Sequence, residues 1–282
     1  MGCVRPEPPW RTYDAAVAEI ADPGPARARV PALSFFFPAH NEAENIEGLV
    51  AEALEVLPSL ADEFQIICVN DGSKDDTARL ADALAAAHPQ VSVVHHEVNK
   101  GYGAALRSGF RAARHELVCF TDGDRQFKVV DLGLLIDRLN QSDSPDVVAG
   151  FRIKRADPAV RLAYARAYRL ALRIFYRLGV RDVDCACKLF RRASLAGIRL
   201  ESGGAFLSAE LLIKLRQRGR RIVETGVPHY PRVAGSASGA NPKVVLRAIR
   251  DFWRLRIQLW VNRTSAMERG EPVLEARVSQ ER

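Results

Sequence analysis

The strongest constraint in this sequence is an alternation. Short β-rich apolar runs are each followed by a polar cluster and then by a stretch of helical periodicity. Leu33 to Phe37, Phe64 to Val69, Val91 to His95, Leu117 to Thr121 and Asp146 to Ala149 read as strands. Asn45 to Leu57, Thr77 to Ala87 and Ala104 to Ala113 read as helices between them, and one more helix precedes the fifth strand. This pattern predicts an α/β fold: a mostly parallel sheet with helices on both faces, because parallel neighbours need a crossover and a helix supplies it.

The second half changes character. Val160 to Leu178 predicts one long helix with Arg166, Arg169, Arg173 and Arg177 in a single stripe. Phe206 to Arg216 predicts a helix and Arg221 to Val227 a strand. Val244 to Val261 predicts a last amphipathic helix, with Arg247, Arg250 and Arg254 opposite Trp253, Ile257 and Trp260. The expected organisation is a flexible arm over 1–31 with a short helix around Tyr13 to Ile20, a main domain over 32–240, an amphipathic helix over 241–263 and a flexible tail over 264–282.

Charge bears on the partner. The 282 residues carry 41 Lys and Arg against 34 Asp and Glu, a net charge of +7. Such a balance suits a polyanion: nucleic acid, a phosphate-bearing substrate or an anionic membrane. No apolar run reaches the roughly 18 residues of a membrane-spanning helix, and the N-terminus lacks the apolar core of a signal peptide. Met1-Gly2-Cys3 opens like a myristoylation site, but Pro6 stands where that motif wants Ser or Thr. Five scattered cysteines predict free thiols in the reducing cytosol. Cys185 and Cys187 lack the second ligand pair of a zinc site.

In an open α/β sheet, ligands bind beyond the C-terminal ends of the strands. Four polar clusters fall there: Pro38-Ala39-His40-Asn41-Glu42, Asn70 through Thr77, Asn99 through Gly109, and Asp122-Gly123-Asp124-Arg125-Gln126. Each alone is an ordinary cap or turn; four in register on one edge point to a site. Asp122 and Asp124, at spacing two on a strand end, can grip one divalent cation, and Gln126 offers a further oxygen. Hard oxygens suit Mg²⁺ or Mn²⁺, and such a metal keeps phosphate oxygens in its shell, which points to a nucleoside diphosphate. Asp71 and Glu42 are placed to hydrogen-bond a base or ribose. Gly101-Tyr102-Gly103 is a broken dinucleotide fingerprint that follows the third strand instead of the first, so it fits a donor-pocket loop better than a nicotinamide site.

Pro-x-x-Asn-Glu, Val69-Asn70-Asp71-Gly72-Ser73-x-Asp75-x-Thr77, Asn-x-Gly-x-Gly-x-Ala and Asp-x-Asp-x-Gln together resemble family 2 glycosyltransferases with the Rossmann-like GT-A fold. Within that family the chain is similar to the polyprenyl-phosphate (dolichyl-phosphate) mannose or glucose synthases, from about Leu33 to about Gly235. The resemblance implies that Pro38, His40, Glu42, Val69 and Asp71 line the nucleotide pocket, with Gly123 beside them. It implies that Asp122, Asp124 and Gln126 hold the metal against the donor diphosphate, and that Arg232 contacts that diphosphate. Arg152 and Arg166 would bind the acceptor phosphate, and Asp184 through Arg191 would close over the acceptor side. His40 stands where the family has Tyr, and Asn70 where an acid is common.

The expected chemistry is inverting transfer of a hexose from a GDP- or UDP-sugar. A lipid phosphate acceptor is already anionic and needs no base. A hydroxyl acceptor needs one, for which Asp182, Asp184 and Glu210 are the candidates, each with an ordinary structural reading too. Three functions stand: a polyprenyl-phosphate glycosyltransferase at the cytoplasmic membrane face, a soluble transferase acting on a hydroxyl, and a non-catalytic sugar-nucleotide or lipid-phosphate binding module. The two Arg-rich amphipathic helices favour a membrane surface over a plain solvated face. No nucleic-acid module is present in the sequence, so nucleic acid is not an expected partner.

Overall fold

A computed structural model of the chain describes residues 29–141, 144–153, 159–233 and 242–268. The expected N-terminal arm with its short helix, and most of the expected tail, lie outside the described residues.

The first half follows the predicted alternation. β1 (Val30–Ala39) leads to α1 (Ala43–Leu60), β2 (Ala61–Asp71) to α2 (Thr77–Ala87), and β3 (Val91–His96) to α3 (Tyr102–Ala112). β4 (Leu117–Phe120) is followed by a 3₁₀ turn (Val129–Asp131) and α4 (Leu132–Leu139). The second half contains β5 (Val147–Arg152), α5 (Ala159–Tyr176), β6 (Lys188–Arg191), the one-turn α6 (Arg192–Leu195), α7 (Leu207–Gln217), β7 (Ile222–Val227) and α8 (Pro242–Glu268).

The seven strands form one sheet in the order β3-β2-β1-β4-β6-β5-β7. β1 pairs in parallel with β2 and β4, β2 with β3, and β5 with β7; β6 runs antiparallel between β4 and β5. The sheet centre is dry. Leu33, Phe35, Phe36, Phe37, Ile66, Ile67 and Val69 are fully buried, which matches the near-continuous apolar runs of a sheet covered on both faces. Phe36, Phe110, Phe120 and Phe190 stack and edge one another at 5.0–6.2 Å, tying β1, α3, β4 and β6 together.

Three expectations are corrected. Strand β6 was not expected: its four residues, Lys-Leu-Phe-Arg, carry too short a pattern, and only pairing on both sides makes them a strand. The segment Asp184 to Arg191, expected to close over the acceptor side, therefore ends inside the sheet. The fifth strand runs on through Arg152, so Gly150, Phe151 and Arg152 are strand residues with Arg152 paired to Val227. The C-terminal helix continues to Glu268, past the expected boundary at 263.

Candidate active site

The parallel strands deliver the four polar clusters to one edge. On the β1 side, His40 Nδ1 bonds the Asp71 carbonyl at 2.9 Å. Asn41, at φ 55°, takes the left-handed turn that Asn tolerates, and its side-chain oxygen accepts Lys74 N–H at 2.8 Å. The Glu42 amide donates to Thr77 Oγ1 and its carboxylate accepts from Asn45 Nδ2 at 2.6 Å. Burial pushes the Glu42 carboxyl above its ordinary value, opposed by the Asn45 hydrogen bond.

Asp71 is buried, and both its oxygens are engaged. Oδ1 meets His96 Nδ1 at 2.6 Å and accepts Lys100 N–H at 2.9 Å; Oδ2 accepts Gly101 N–H at 2.8 Å. His96 Nε2 meets Ser108 Oγ at 2.9 Å. This chain fastens the loop after β3 to the end of β2. Val69 is fully buried in the sheet, so what it supplies to a pocket is backbone and shape.

Asp122 and Asp124 stand beyond β4. Gly123 lies where a Cβ would come 2.6 Å from the Pro38 carbonyl, so only glycine lets this turn rest against the end of β1. Arg125 is at φ 58° and reaches back to α1, where Nη2 is 4.0 Å from Glu52 Oε2, while its buried Nε has no hydrogen-bond partner among the described residues. Gln126 exchanges backbone and side-chain hydrogen bonds with Tyr230, on the loop after β7. That loop brings Arg232 to the acids: Nη2 is 2.5 Å from Asp124 Oδ2 and Nη1 3.8 Å from Glu42 Oε1. Tyr102, in the first turn of α3, donates its hydroxyl to Asp122 Oδ1 at 3.0 Å. Burial and the nearby Asp122 charge hold that phenol well above its ordinary range, so it stays a donor. Asp122 is pushed up to about 6, by burial and then by Asp124.

The residues fit a hard cation. Asp124 raises the proton affinity of Asp122, and among the described residues Arg232 forms the ion pair with Asp124. Among the described residues no group of three or more His, Cys, Asp or Glu is arranged for a metal. A cation here would draw its remaining oxygens from a phosphate ligand.

The edge at the end of β5, expected to face the acceptor, is built differently. Arg152 Nε and Nη2 bond Asp182 Oδ2 and Oδ1 at 2.6 and 2.8 Å, a fork-to-fork pair with side-chain exposures of 14% and 8%. Asp182 is thus committed to Arg152 and poorly placed as a base. Asp184 is exposed, and after burial its charge is the next influence holding up the Tyr168 phenol; it also reaches Tyr102 and Arg152. Glu210 is buried; burial opposes its ionisation, but Lys214 and the amides of Ser202 and Glu201 outweigh that and hold its carboxyl below the ordinary range. It is a structural acid that caps the 200–202 turn. Arg166 is an exposed residue of α5, and among the described residues no contact joins it to Arg152.

α5 and α8 pack through Phe175, Tyr176 and Phe252, with ring centroids 5.0–5.6 Å apart. The packed face of α8 is Phe252 and Leu255; Trp253, Ile257 and Trp260 are 48–59% exposed. The arginines and the large apolar side chains of α8 therefore both face outward, where the sequence suggested opposite faces. Tyr164, Leu170 and Ile174 are likewise exposed on α5. Among the described residues no helix is long and apolar enough to cross a membrane.

Sequence reasoning did not single out Tyr102, Arg125 or Lys188. Tyr102 sits in a glycine-rich segment that read as loop, and only its distance to Asp122 reveals it.

Residues 34–199 match the family model described as Glycosyl transferase family 2. The chain is 29% identical to glycosyltransferase AglD of Haloferax volcanii, over 88% of this chain and 41% of that protein. It is 28% identical to dolichyl-phosphate beta-glucosyltransferase ALG5D of Trichomonas vaginalis, over 80% of this chain and 75% of that one. The chain thus spans about two fifths of the first relative and three quarters of the second. Its fold matches glucosyl-3-phosphoglycerate synthase of Mycobacterium tuberculosis, solved with Mn²⁺, UDP-glucose and phosphoglyceric acid, with a TM-score of 0.61, 22% identity, and coverage of 96% and 87% of the two chains.

Proposed function

The chain belongs to glycosyl transferase family 2, and from that premise we propose that it transfers a hexose from a nucleotide-diphosphate sugar to a polyprenyl phosphate at a membrane surface. The observation that carries the reading is the closed acidic pair: Asp122 held by Tyr102 and Asp124 held by Arg232, at the edge where the four clusters meet. The ALG5D relative, named for action on dolichyl phosphate, supports the acceptor class.

Asp122 and Asp124 would hold Mg²⁺ or Mn²⁺, as the fold neighbour holds Mn²⁺; when bound, the metal neutralises charge on the diphosphate. Gln126 ties this turn to Tyr230 and so sets where Arg232 stands. Arg232 is a fixed cation at the leaving group. Tyr102 orients Asp122 and keeps its proton. Catalysis is then positioning plus electrostatic stabilisation, and an anionic acceptor oxygen attacks the sugar without a base. Arg152, with one side of its guanidinium committed to Asp182, directs its remaining donors to the acceptor phosphate. Exposed Arg and Trp on α8, with Tyr164 and the arginines of α5, suit an anionic bilayer surface.

The test is radiolabelled transfer from UDP- and GDP-hexoses. Label entering an organic-extractable polyprenyl phosphate supports the reading; label entering only a hydroxylated small molecule replaces it with the hydroxyl reading, for which Asp184 is the base to examine. Asp124→Ala should lower transfer about a thousandfold, since single electrostatic stabilisers contribute roughly 10²–10³. Undiminished turnover in chelator removes the metal role.

A further inference from the structure

Lys188 is a charged side chain sealed inside the sheet. It is 1% exposed, at the first position of β6, paired across to Phe120 on β4 and Ala149 on β5. It therefore stands between the strand that leads to Asp122 and the strand that ends in Arg152. Among the described residues no carboxylate forms an ion pair with it, although its charge acts on Asp122 from a distance. Its ammonium instead donates to the Val183 carbonyl at 3.0 Å and to the Cys185 carbonyl, and lies 5.8 Å from the centre of the Phe120 ring. Burying an ammonium is unfavourable unless its donors are used, and here two of three go to one turn.

That turn is clasped at both ends. Asp182 grips Arg152 at its start, and the Cys187 carbonyl accepts Gly150 N–H at 2.9 Å at its finish. The second clasp is tight: a Cβ on Gly150 would come 2.6 Å from the Cys187 oxygen. Between the clasps, the Val183 and Cys185 carbonyls converge on the Lys188 ammonium, which supplies donors to both. Asp184 lies between them and faces out.

We propose that Lys188 is a positioning residue for the acceptor side. Its ammonium gathers the 183 and 185 carbonyls, fixes the 182–187 turn, and through Asp182 sets the Arg152 guanidinium. The proposal rests on the reading that Arg152 faces the acceptor.

The test uses the full chain with Lys188→Met, and Lys188→Gln as the variant that keeps a neutral donor in the slot. Acceptor KM for polyprenyl phosphate should rise at least tenfold in Met and less in Gln. Affinity for UDP with Mn²⁺, by calorimetry, should change less than the acceptor KM, since the Lys188 charge reaches Asp122 only at a distance. Amides 183–187 should lose hydrogen-exchange protection. A folded Lys188→Met with acceptor KM within twofold of wild type overturns the proposal, as does equal weakening of acceptor and nucleotide. If Lys188→Met does not fold, Lys188→Gln decides on the same readouts. If the wild type passes no sugar to polyprenyl phosphate, the acceptor reading fails by itself, and exchange still judges Lys188: unchanged protection in the turn overturns it.

Discussion

The edge of this sheet proposed to take the donor and the edge proposed to take the acceptor solve the same problem, holding charged groups at strand ends, by different means. On the donor edge, the first clusters tie polar side chains to backbone amides, Asp71 to Lys100 and Gly101, Asp75 to Ala43 and Thr77, Asn41 to Lys74, and the acidic pair at Asp122 and Asp124 is held by side chains. On the acceptor edge, side chains are tied to each other or to converging carbonyls: Arg152 to Asp182, Lys188 to the 183–185 turn. Loops fixed by backbone bonds keep their shape through many substitutions. Buried ion pairs are all-or-none, because removing one partner strands the other.

The largest effect that would break this comparison is on the acceptor edge. Asp182→Ala leaves the Arg152 guanidinium largely buried without its fork, and should lower stability by about 3–5 kcal/mol. Arg152→Met with Asp182→Leu removes both charges and should recover most of that loss. Urea midpoints of the single and double variants measure it. A single variant within about 1 kcal/mol of wild type would mean that the pair is as loosely coupled as a surface bridge.

The difference between the edges also explains what could be read in advance. The donor clusters were legible because each depends on residues adjacent in sequence to a strand: Asn41-Glu42, Asn70 to Thr77 and Asp122 to Gln126 are local turns whose chemistry travels with their spacing. The acceptor edge depends on pairings far apart in sequence. β6 exists because β4 and β5 flank it, and Arg152 is matched with a residue 30 positions on; Tyr102, on the donor edge, escaped for the same reason, since it finds Asp122 across 20. The exposed face of α8 escaped for a related reason. Arg and Trp alternate around that helix, and only the burial of Phe252 and Leu255, with Phe252 against Tyr176 of α5 and Phe206 just before α7, decides which face is outside.

A smaller effect sharpens the donor side. Asp122 is pushed up to about 6 by burial and by Asp124, so the folded protein holds a proton there that the unfolded chain, with its aspartate near 3.9, has released. A raised folded-state value contributes stability that is fully present below about pH 4 and is lost as pH rises through about 6. Metal-free protein should therefore lose on the order of 2 kcal/mol from this group between pH 4 and 7, discounted for its partial exposure. Mn²⁺ should restore stability at pH 7 and do little at pH 4.5, since binding requires the carboxylate. Asp122→Asn should flatten both dependences. Thermal unfolding at the two pH values, with and without Mn²⁺, checks them, and a melting temperature independent of pH in the metal-free wild type would show the acid pair to be better solvated than its burial implies.

The smallest effect on the fold separates the outer face of α8 from both edges. Ile257 is 59% exposed and on the side away from the Phe252–Leu255 contact, so Ile257→Ser should change stability by no more than about 0.5 kcal/mol. If the face meets a bilayer, the same change removes apolar carbon from the interface at about 0.8 kcal/mol per methylene-sized group. Binding to vesicles rich in anionic lipid should then weaken about tenfold, and the loss should persist at high salt, because it is apolar. Arg254→Gln should weaken binding in a way that vanishes at high salt, although it also releases the Glu201 contact at 2.9 Å. Sedimentation with neutral and anionic vesicles distinguishes the two terms. Equal binding of Ile257→Ser and wild type would place the arginines alone at the surface and leave the exposed Trp and Ile side chains for contact with protein.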